Sequence, residues 1–272
     1  VYKIVGLPLI SPELRQGRGE IEAAQKGKLP KLIEIGDLRG DLHTHSKASD
    51  GHNTIEQMAL AAKELGYEYI AMCDHSHHVT IAHGLDKKRL AAQIREIDKL
   101  NEKLDGIVVL KSTEVDILDN GKLDLPNDIL KELDLRVCAV HYKFNLSRQQ
   151  QTERILRAMD NPFFNILAHP TGRLINERDP YDVDIERLME AAVERGCYME
   201  VNSYPDRLDL TDNACRGAKE LGLKLAISTD AHSTADLGLV RFGVDQARRG
   251  WLEKKDVLNA RSLPDLLKIL KR

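Results

Sequence analysis

Short apolar runs recur along this chain, and run after run ends in a histidine or a carboxylate. They include Asp41-Leu42-His43-Thr44-His45, Tyr69-Ile70-Ala71-Met72-Cys73-Asp74-His75 and Ile107-Val108-Val109-Leu110-Lys111-Ser112-Thr113-Glu114. Arg136-Val137-Cys138-Ala139-Val140-His141, Asn165-Ile166-Leu167-Ala168-His169 and Leu225-Ala226-Ile227-Ser228-Thr229-Asp230-Ala231-His232 follow. Amphipathic helical stretches lie between them. Buried strands that alternate with helices form a parallel sheet, because parallel neighbours need a long crossover. Roughly seven such units, all with polar residues at their C-terminal ends, predict a closed α/β barrel with its site on that face. The rival is an open doubly wound sheet, which gathers ligands at one switch point and not around a ring.

The helices carry their own punctuation. Thr54 and Gln57 form a capping box ahead of Ile55, Met58, Ala59, Ala62 and Leu65, which share one face of a helix predicted over 54–65. Ser147 and Gln150 repeat the box before Ile155, Leu156 and Met159. Asp184 caps a helix bearing Ile185, Leu188, Met189, Ala192 and Val193, and Thr211 or Asp212 opens another that stops at Gly222. Residues 1–36 differ. Pro8, Pro12 and Pro30, glycines from Gly17 to Gly27 and mixed charge read as a linker or the tail of a preceding region, with little core of its own. Residues 37–272 are then the functional domain, and a chain that opens on Val reads as a fragment of something longer.

A net charge of −3 with 31% charged residues neither demands nucleic acid nor excludes it, since a basic strip can sit within a neutral total. The four cysteines are scattered without a Cys-x-x-Cys pair. They read as buried thiols in a reducing cytoplasm. No apolar run is long enough for a membrane span, and no signal-peptide pattern is present.

A His-x-His pair on a strand aims both imidazoles to one face, because side chains alternate with period two. Asp230-Ala231-His232 repeats the spacing. Nine residues are candidate metal ligands: His43, His45, Asp50, His75, Glu114, His141, His169, Asp230 and His232. At about four ligands per ion they suit two or three divalent metals, with zinc, manganese and iron all compatible. Glu114, a lone carboxylate among histidine-bearing strands, is the expected bridge, and Glu114, Asp230 and His232 are the expected catalytic groups. Ions about 3.5–4 Å apart activate water and clamp a phosphoryl oxygen, so no protein nucleophile is required. No Gly-x-Ser-x-Gly elbow or Cys-x5-Arg loop is present. On metal grounds alone, carbonyl hydrolysis stays open.

Asp-Leu-His-Thr-His-Ser with Ser49-Asp50-Gly51, Cys-Asp-His75, Glu114, His141, Ala-His-Pro170 and Ser-Thr-Asp-Ala-His232 resembles the polymerase and histidinol phosphatase (PHP) family. The resemblance implies a distorted seven-stranded β/α barrel, similar to a TIM barrel, with a trinuclear metal site whose nine ligand positions are all matched. Val140-His141-Tyr142-Lys143-Phe144-Asn145-Leu146-Ser147, His169-Pro170-Thr171-Gly172-Arg173-Leu174 and Glu200-Val201-Asn202-Ser203-Tyr204-Pro205-Asp206-Arg207-Leu208-Asp209-Leu210 are similar to the C-terminal PHP domain of bacterial and archaeal X-family DNA polymerases. Residues 7–24 resemble the end of the polymerase region leading into it. This implies 3′-to-5′ exonuclease activity supported by manganese, with abasic-site endonuclease and 3′-phosphatase activities in some members. A polymerase body would lie upstream, and no polymerisation is expected of this chain. Cys73 departs from the Thr usual in the family, and His77, His78 and His83 are a further departure.

Lys143, Arg173 and Arg207 are expected to contact phosphate, with surface ion pairs as the alternative. Tyr204 either stacks on a base or packs the rim. Asp41 and Asp74 either orient imidazoles or cap strand ends. His52, His77, His78 and His83 read as solvated neighbours of the site. Arg248-Arg249-Gly250-Trp251 with Lys254 and Lys255 reads as a solvated helix end with one anchoring Trp. The leading function is metal-dependent processing of DNA 3′ ends. A phosphatase of small phosphate esters is the alternative, and an inactive structural module ranks third because no ligand is lost.

Overall fold

The computed structural model describes residues 2, 4 and 6–271. The strands are β1 Gly40–Thr44, β2 Tyr69–Met72, β3 Val108–Lys111, β4 Glu114–Asp116, β5 Val137–Ala139, β6 Ile166–Leu167, β7 Tyr198–Asn202 and β8 Leu225–Ser228. All their pairings are parallel, in the orders β1-β2-β3 and β4-β5-β6-β7-β8. β3 and β4 are two halves of one strand. Tyr69 faces Val108, Met72 faces Lys111 and His75 faces Glu114, so the register against β2 continues unbroken across Ser112 and Thr113. The other edge closes as well. Asp230 N donates to His43 O at 2.9 Å and His45 N to Ala231 O at 2.8 Å, joining β8 to β1. Counting β3 and β4 once, seven strands close the ring, as the alternation of runs predicts.

One register shift falls between Asp41 and Thr44. Such a bulge flips side-chain parity. Leu42 therefore packs inside the barrel while His43 turns to the rim. Inside, Leu42, Tyr69, Ala71, Leu110, Val137, Ala139, Ile166, Ala168 and Ala226 form one buried cluster, and Leu266 and Leu270 plug its N-terminal end. The opposite strand faces and the helices make the larger core.

The helices are α1 Glu20–Gln25, α2 Ile55–Glu64, α3 Lys87–Asn101, α4 Asn127–Leu130, α5 Arg148–Met159, α6 Ile185–Arg195, α7 Asp212–Leu221, α8 Val240–Arg249 and α9 Leu263–Ile269. The predicted capping boxes of Thr54 with Gln57 and Ser147 with Gln150 are both formed. Asp184 and Thr211 accept from the third helical N–H of their helices, and Gly222 ends α7 at φ +79°. All four cysteines are buried. Among the described residues no helix is long and apolar enough to cross a membrane.

The N-terminal segment lies outside the strands but is fastened to the helices around them. Ile10, Leu14, Ala24 and Leu32 surround Trp251, the predicted anchor. Arg248 pairs with Glu13 at 2.7 Å and Arg18 with Asp212 at 3.1 Å. Ile33 is fully buried in the main core.

Candidate metal centre

The nine nominated residues come from six strand ends and the loop after β1, and the barrel brings them to one rim. Glu114 is at the middle. Its Oε1 lies 2.8 Å from His169 Nε2 and 3.2 Å from His141 Nε2. Its Oε2 lies 2.8 Å from His75 Nδ1, 3.5 Å from His43 Nε2 and 3.7 Å from His45 Nε2. The two oxygens thus serve different sets of imidazoles, as a bridging carboxylate must. Asp230 Oδ1 is 3.1 Å from His45 Nε2 and 3.6 Å from His43 Nε2. Asp50 reaches His75 at 3.4 Å and His232 at 3.5 Å.

Three overlapping groups have metal-holding spacing: His45, Asp50, His75 and His232; His43, His45 and Asp230; and His75, Glu114 and His141. The donor chemistry fits divalent ions. His43 Nε2, His45 Nδ1 and His169 Nδ1 are buried without a hydrogen-bond partner, and His75 Nδ1 and Glu114 Oε2 face each other at 2.8 Å without the geometry of a hydrogen bond. Buried polar atoms are ordinarily paired, so such a concentration of unpaired lone-pair donors marks a ligand site.

Electrostatics agree. Burial pushes the Glu114 carboxyl up, yet the imidazoles of His141, His75 and His43 hold it well below its ordinary range. Asp230 is held down in the same way, chiefly by His43 against its own burial. Burial opposes protonation of His75 and His141, but Glu114 with Asp50 or Asp116 raises them to about 10 and about 9. Burial, then the charges of His232 and His75, push His45 down to about 4 and keep it neutral, the form that ligates. The carboxylates therefore draw positive charge into the rim, whether as protons or as metal ions.

Two carboxylates that the candidate set lacks orient the ring. His43 Nδ1 is 2.8 Å from Glu200 Oε1, and His141 Nδ1 is 2.7 Å from Asp116 Oδ1. A histidine that donates Nδ1–H to a carboxylate presents the Nε2 lone pair inward, the usual outer partnership of a ligating imidazole. Glu200 Oε2 also accepts from His169 N at 2.7 Å and from Asn202 Nδ2 at 3.2 Å. Both carboxylates were visible in outline. Glu200 interrupts an apolar run on β7, and Asp116 stands two residues after Glu114, the same spacing that marked the histidine pair.

Asp41 and Asp74 take the capping alternative. Asp41 accepts from Thr229 Oγ1 and from the N–H groups of Thr229 and His43, and Asp74 accepts from Ser46 and Ser49. Strain collects at the rim, where the non-glycine residues Asp230 and His169 hold φ of +57° and +27°. Gly51 is needed beside Asp50, because a Cβ there would meet the His45 backbone at 2.8 Å.

The cationic candidates differ. Arg207 Nε lies 3.5 Å from Asp230 Oδ2. With Tyr204, Leu174, Asp206, Asp230 and His232 it lines a cavity of about 190 Å³ beside the cluster. Arg173 gives its Nε and Nη2 donors to the carbonyls of Arg207 and Leu208, so it braces the loop carrying Arg207. Lys143 pairs with Asp119 on the surface. His52, His77, His78 and His83 are exposed and join none of the three groups.

The PHP domain profile matches residues 41–204, more than half the chain and most of the residues just described. The chain belongs to the PHP domain family. Among its relatives is the DNA polymerase/3′-5′ exonuclease PolX of Bacillus subtilis (strain 168), 43% identical over 271 residues, which is all of this chain and 47% of that protein. This PHP chain thus spans about half that relative's length. A probable phosphatase of Thermoanaerobacter sp. (strain X514) is 32% identical over 80% of this chain and 89% of its own. Histidinol phosphate phosphatase of Lactococcus lactis subsp. lactis Il1403, crystallised with zinc, L-histidinol and phosphate, superposes with a TM-score of 0.53 at 16% identity. The match covers 77% of this chain and 93% of that one. At that identity the match speaks for the PHP barrel itself.

Proposed function

We propose that this PHP domain is a metal-dependent phosphoesterase that removes nucleotides from DNA 3′ ends in the 3′-to-5′ direction. The observation that carries the reading is Glu114, whose two oxygens face separate imidazole sets, His169 and His141 on one side and His75, His43 and His45 on the other. The nine residues His43, His45, Asp50, His75, Glu114, His141, His169, Asp230 and His232 would hold two or three ions of zinc, manganese or iron. Such ions, when bound, supply an activated water and neutralise phosphoryl charge.

The protein's own part is positioning. Glu200 and Asp116 fix the His43 and His141 rings, Asn202 links Glu200 to Asp230 at 3.1 Å, and the loops of Asp41 and Asp74 hold the rim. Arg207 is the best-placed phosphate clamp, held near Asp230 and braced through Arg173. Tyr204 shares its cavity, and Lys143 waits further out. The mouth is open on the side of Asp50, His232 and His141, whose side chains are 32%, 30% and 19% exposed, against 0–2% for His43, His45 and His169. An open mouth suits a polymer end better than a sealed pocket. In this reading residues 1–36 are the tail of a preceding polymerase region, which is the inferred partner, and 37–272 are the phosphoesterase domain. Four scattered, buried cysteines without a Cys-x-x-Cys pair suit a cytoplasmic setting.

The second reading, a phosphatase of small phosphate esters, is favoured by the probable phosphatase that matches over 89% of its own length. Incubation of 3′-labelled single-stranded DNA and of glycerol phosphate with the protein, in manganese and in zinc, separates the two. Release of the label as a mononucleotide is expected. Rapid ester hydrolysis with DNA left intact in both metals would replace the nuclease by the phosphatase.

A further inference from the structure

The loop Ser76–Leu85 contributes no nominated ligand, yet both of its ends are stapled to the metal centre. Ser76 N donates to Glu114 O at 2.9 Å, Leu85 N donates to His75 O at 2.7 Å, and Ser76 pairs with Leu85. Gly84 permits that closure, since a Cβ there would run into the Ser76 carbonyl. Arg89 donates to the carbonyls of His83, Gly84 and Ala48, tying the loop to the one that carries Asp50.

Beyond this fixed base the loop presents an exposed imidazole. The His78 ring sits 4.4 Å from the ring of Tyr142, inclined by 45°. The guanidinium of Arg154 lies 4.6 Å over the same Tyr142 ring. Arg154 is fully buried, and its donors hold the carbonyls of Ile117, Leu118 and Tyr142. Tyr142 is pinned further by the Asp119 N–H, which donates to its hydroxyl at 2.8 Å, and His78 N donates to Asp124 at 2.9 Å. Tyr142 directly follows the candidate ligand His141. Ile81, three residues beyond His78, is 91% exposed. A lone exposed isoleucine carries no argument. An open imidazole held against a phenol that a buried guanidinium backs, and that directly follows His141, does carry one. Flat π faces are covered favourably by other flat faces, and nucleobases supply them whatever their identity.

Resting on the phosphoesterase reading, we propose that the exposed His78 ring, backed by Tyr142 and Arg154, seats a nucleobase flanking the scissile phosphate. The site would accept any base and would discriminate a base-bearing end from an abasic one. The test compares kcat/KM on single-stranded DNA whose last two nucleotides carry bases with the same strand ending in two tetrahydrofuran abasic units. Wild type is expected to prefer the base-bearing end about tenfold, within the range for one stacked base. In His78→Ala the preference falls to about one, and in His78→Phe it returns. Independently of turnover, a 3′-terminal 2-aminopurine next to a phosphorothioate linkage should lose fluorescence on binding wild type, and less on binding His78→Ala. Wild type without a preference, or His78→Ala with the full preference, overturns the proposal while leaving the nuclease reading in place. A wild type that hydrolyses glycerol phosphate but neither cleaves the DNA nor quenches 2-aminopurine overturns both.

Discussion

The seam where β8 meets β1 closes the barrel twice, by opposite means. At the C-terminal rim the partners are ionisable: Asp41 ties Thr229 to β1, Asp230 faces His43 and His45, and several ring nitrogens have no hydrogen-bond partner. At the N-terminal end one neutral amide closes the seam. Asn259 Nδ2 donates to Gly40 O and Ile227 O at 2.7 Å each, and its Oδ1 accepts from Ile227 N at 3.0 Å. Around it Tyr69, Tyr198 and Asn165 all donate to backbone carbonyls. Both groups of seam contacts are buried, although the rim opens to solvent beside them at Asp50 and His232. The amide end finds its partners within the protein, whereas the rim keeps several buried ring nitrogens open for what it binds. The first arrangement serves stability, and the second holds charge and lone pairs in reserve for metal and phosphate.

That contrast predicts opposite outcomes for substitutions at the two ends. The largest effect on turnover belongs to the rim. Glu114→Ala and Asp230→Ala should each lower turnover on DNA 3′ ends by orders of magnitude, while melting stays cooperative because the core is built from other residues. An active Glu114→Ala enzyme, measured by single-turnover kinetics, would remove Glu114 from the centre. Metal removal is the companion test. Chelation should abolish activity and lower Tm, because ions that bind only the folded state stabilise it by about 2.7 kcal/mol at a hundred times their Kd. Elemental analysis of gently purified protein should then show more than one transition metal per chain. A chain that never takes up metal breaks the contrast outright.

The rim was the more legible end. Strand-end histidines at i, i+2 spacing announce it because alternation alone sets the face, and capping boxes and terminal glycines mark helix ends by local hydrogen bonding. What escaped depends on neighbours distant in sequence. The bulge between Asp41 and Thr44 and the division of one strand at Ser112 and Thr113 are decided by pairing between strands, which no local pattern records. Trp251 could be read as an anchor, but the cluster it anchors, from Ile10 to Leu32, lies more than two hundred residues away in sequence. Arg173 looked like a phosphate clamp because of its place after His169. That the structure gives two of its donors to the loop of Arg207 follows from tertiary folding alone.

Glu200→Gln gives a smaller effect and tests whether the satisfied and unsatisfied parts of the rim are coupled. The amide keeps the size of Glu200 but loses the charge that holds the His43 Nδ1–H, and it sets an NH2 group against His169 N–H or His43. Metal affinity should fall about ten- to a hundredfold, the usual range for an outer partner of a ligating histidine. Titration of apoprotein with zinc, read by competition with a chromophoric chelator, measures it. Unchanged affinity would reduce Glu200 to a packing role.

The smallest effect on turnover is expected at the N-terminal end, where the effect on stability is large. Asn259→Ala leaves the carbonyls of Gly40 and Ile227 and the Ile227 N–H without their partner in a place water does not reach. One buried group left unpaired costs about 1–3 kcal/mol, so the loss should be about 3 kcal/mol, visible as a lower urea midpoint. Asn259→Asp is the sharper variant. It keeps the shape and the acceptor for Ile227 N but replaces the NH2 with an oxygen that faces two carbonyls. Repulsion and burial of a charge should make it less stable than the alanine variant, despite its closer likeness to asparagine. At temperatures where both remain folded, kcat on DNA ends should match wild type within about twofold, because stability here and chemistry there use different groups. Equal stability of the aspartate variant and wild type would mean that this end of the seam is not closed by the amide donors. A large loss of kcat in the folded variants would mean that the two ends are not independent.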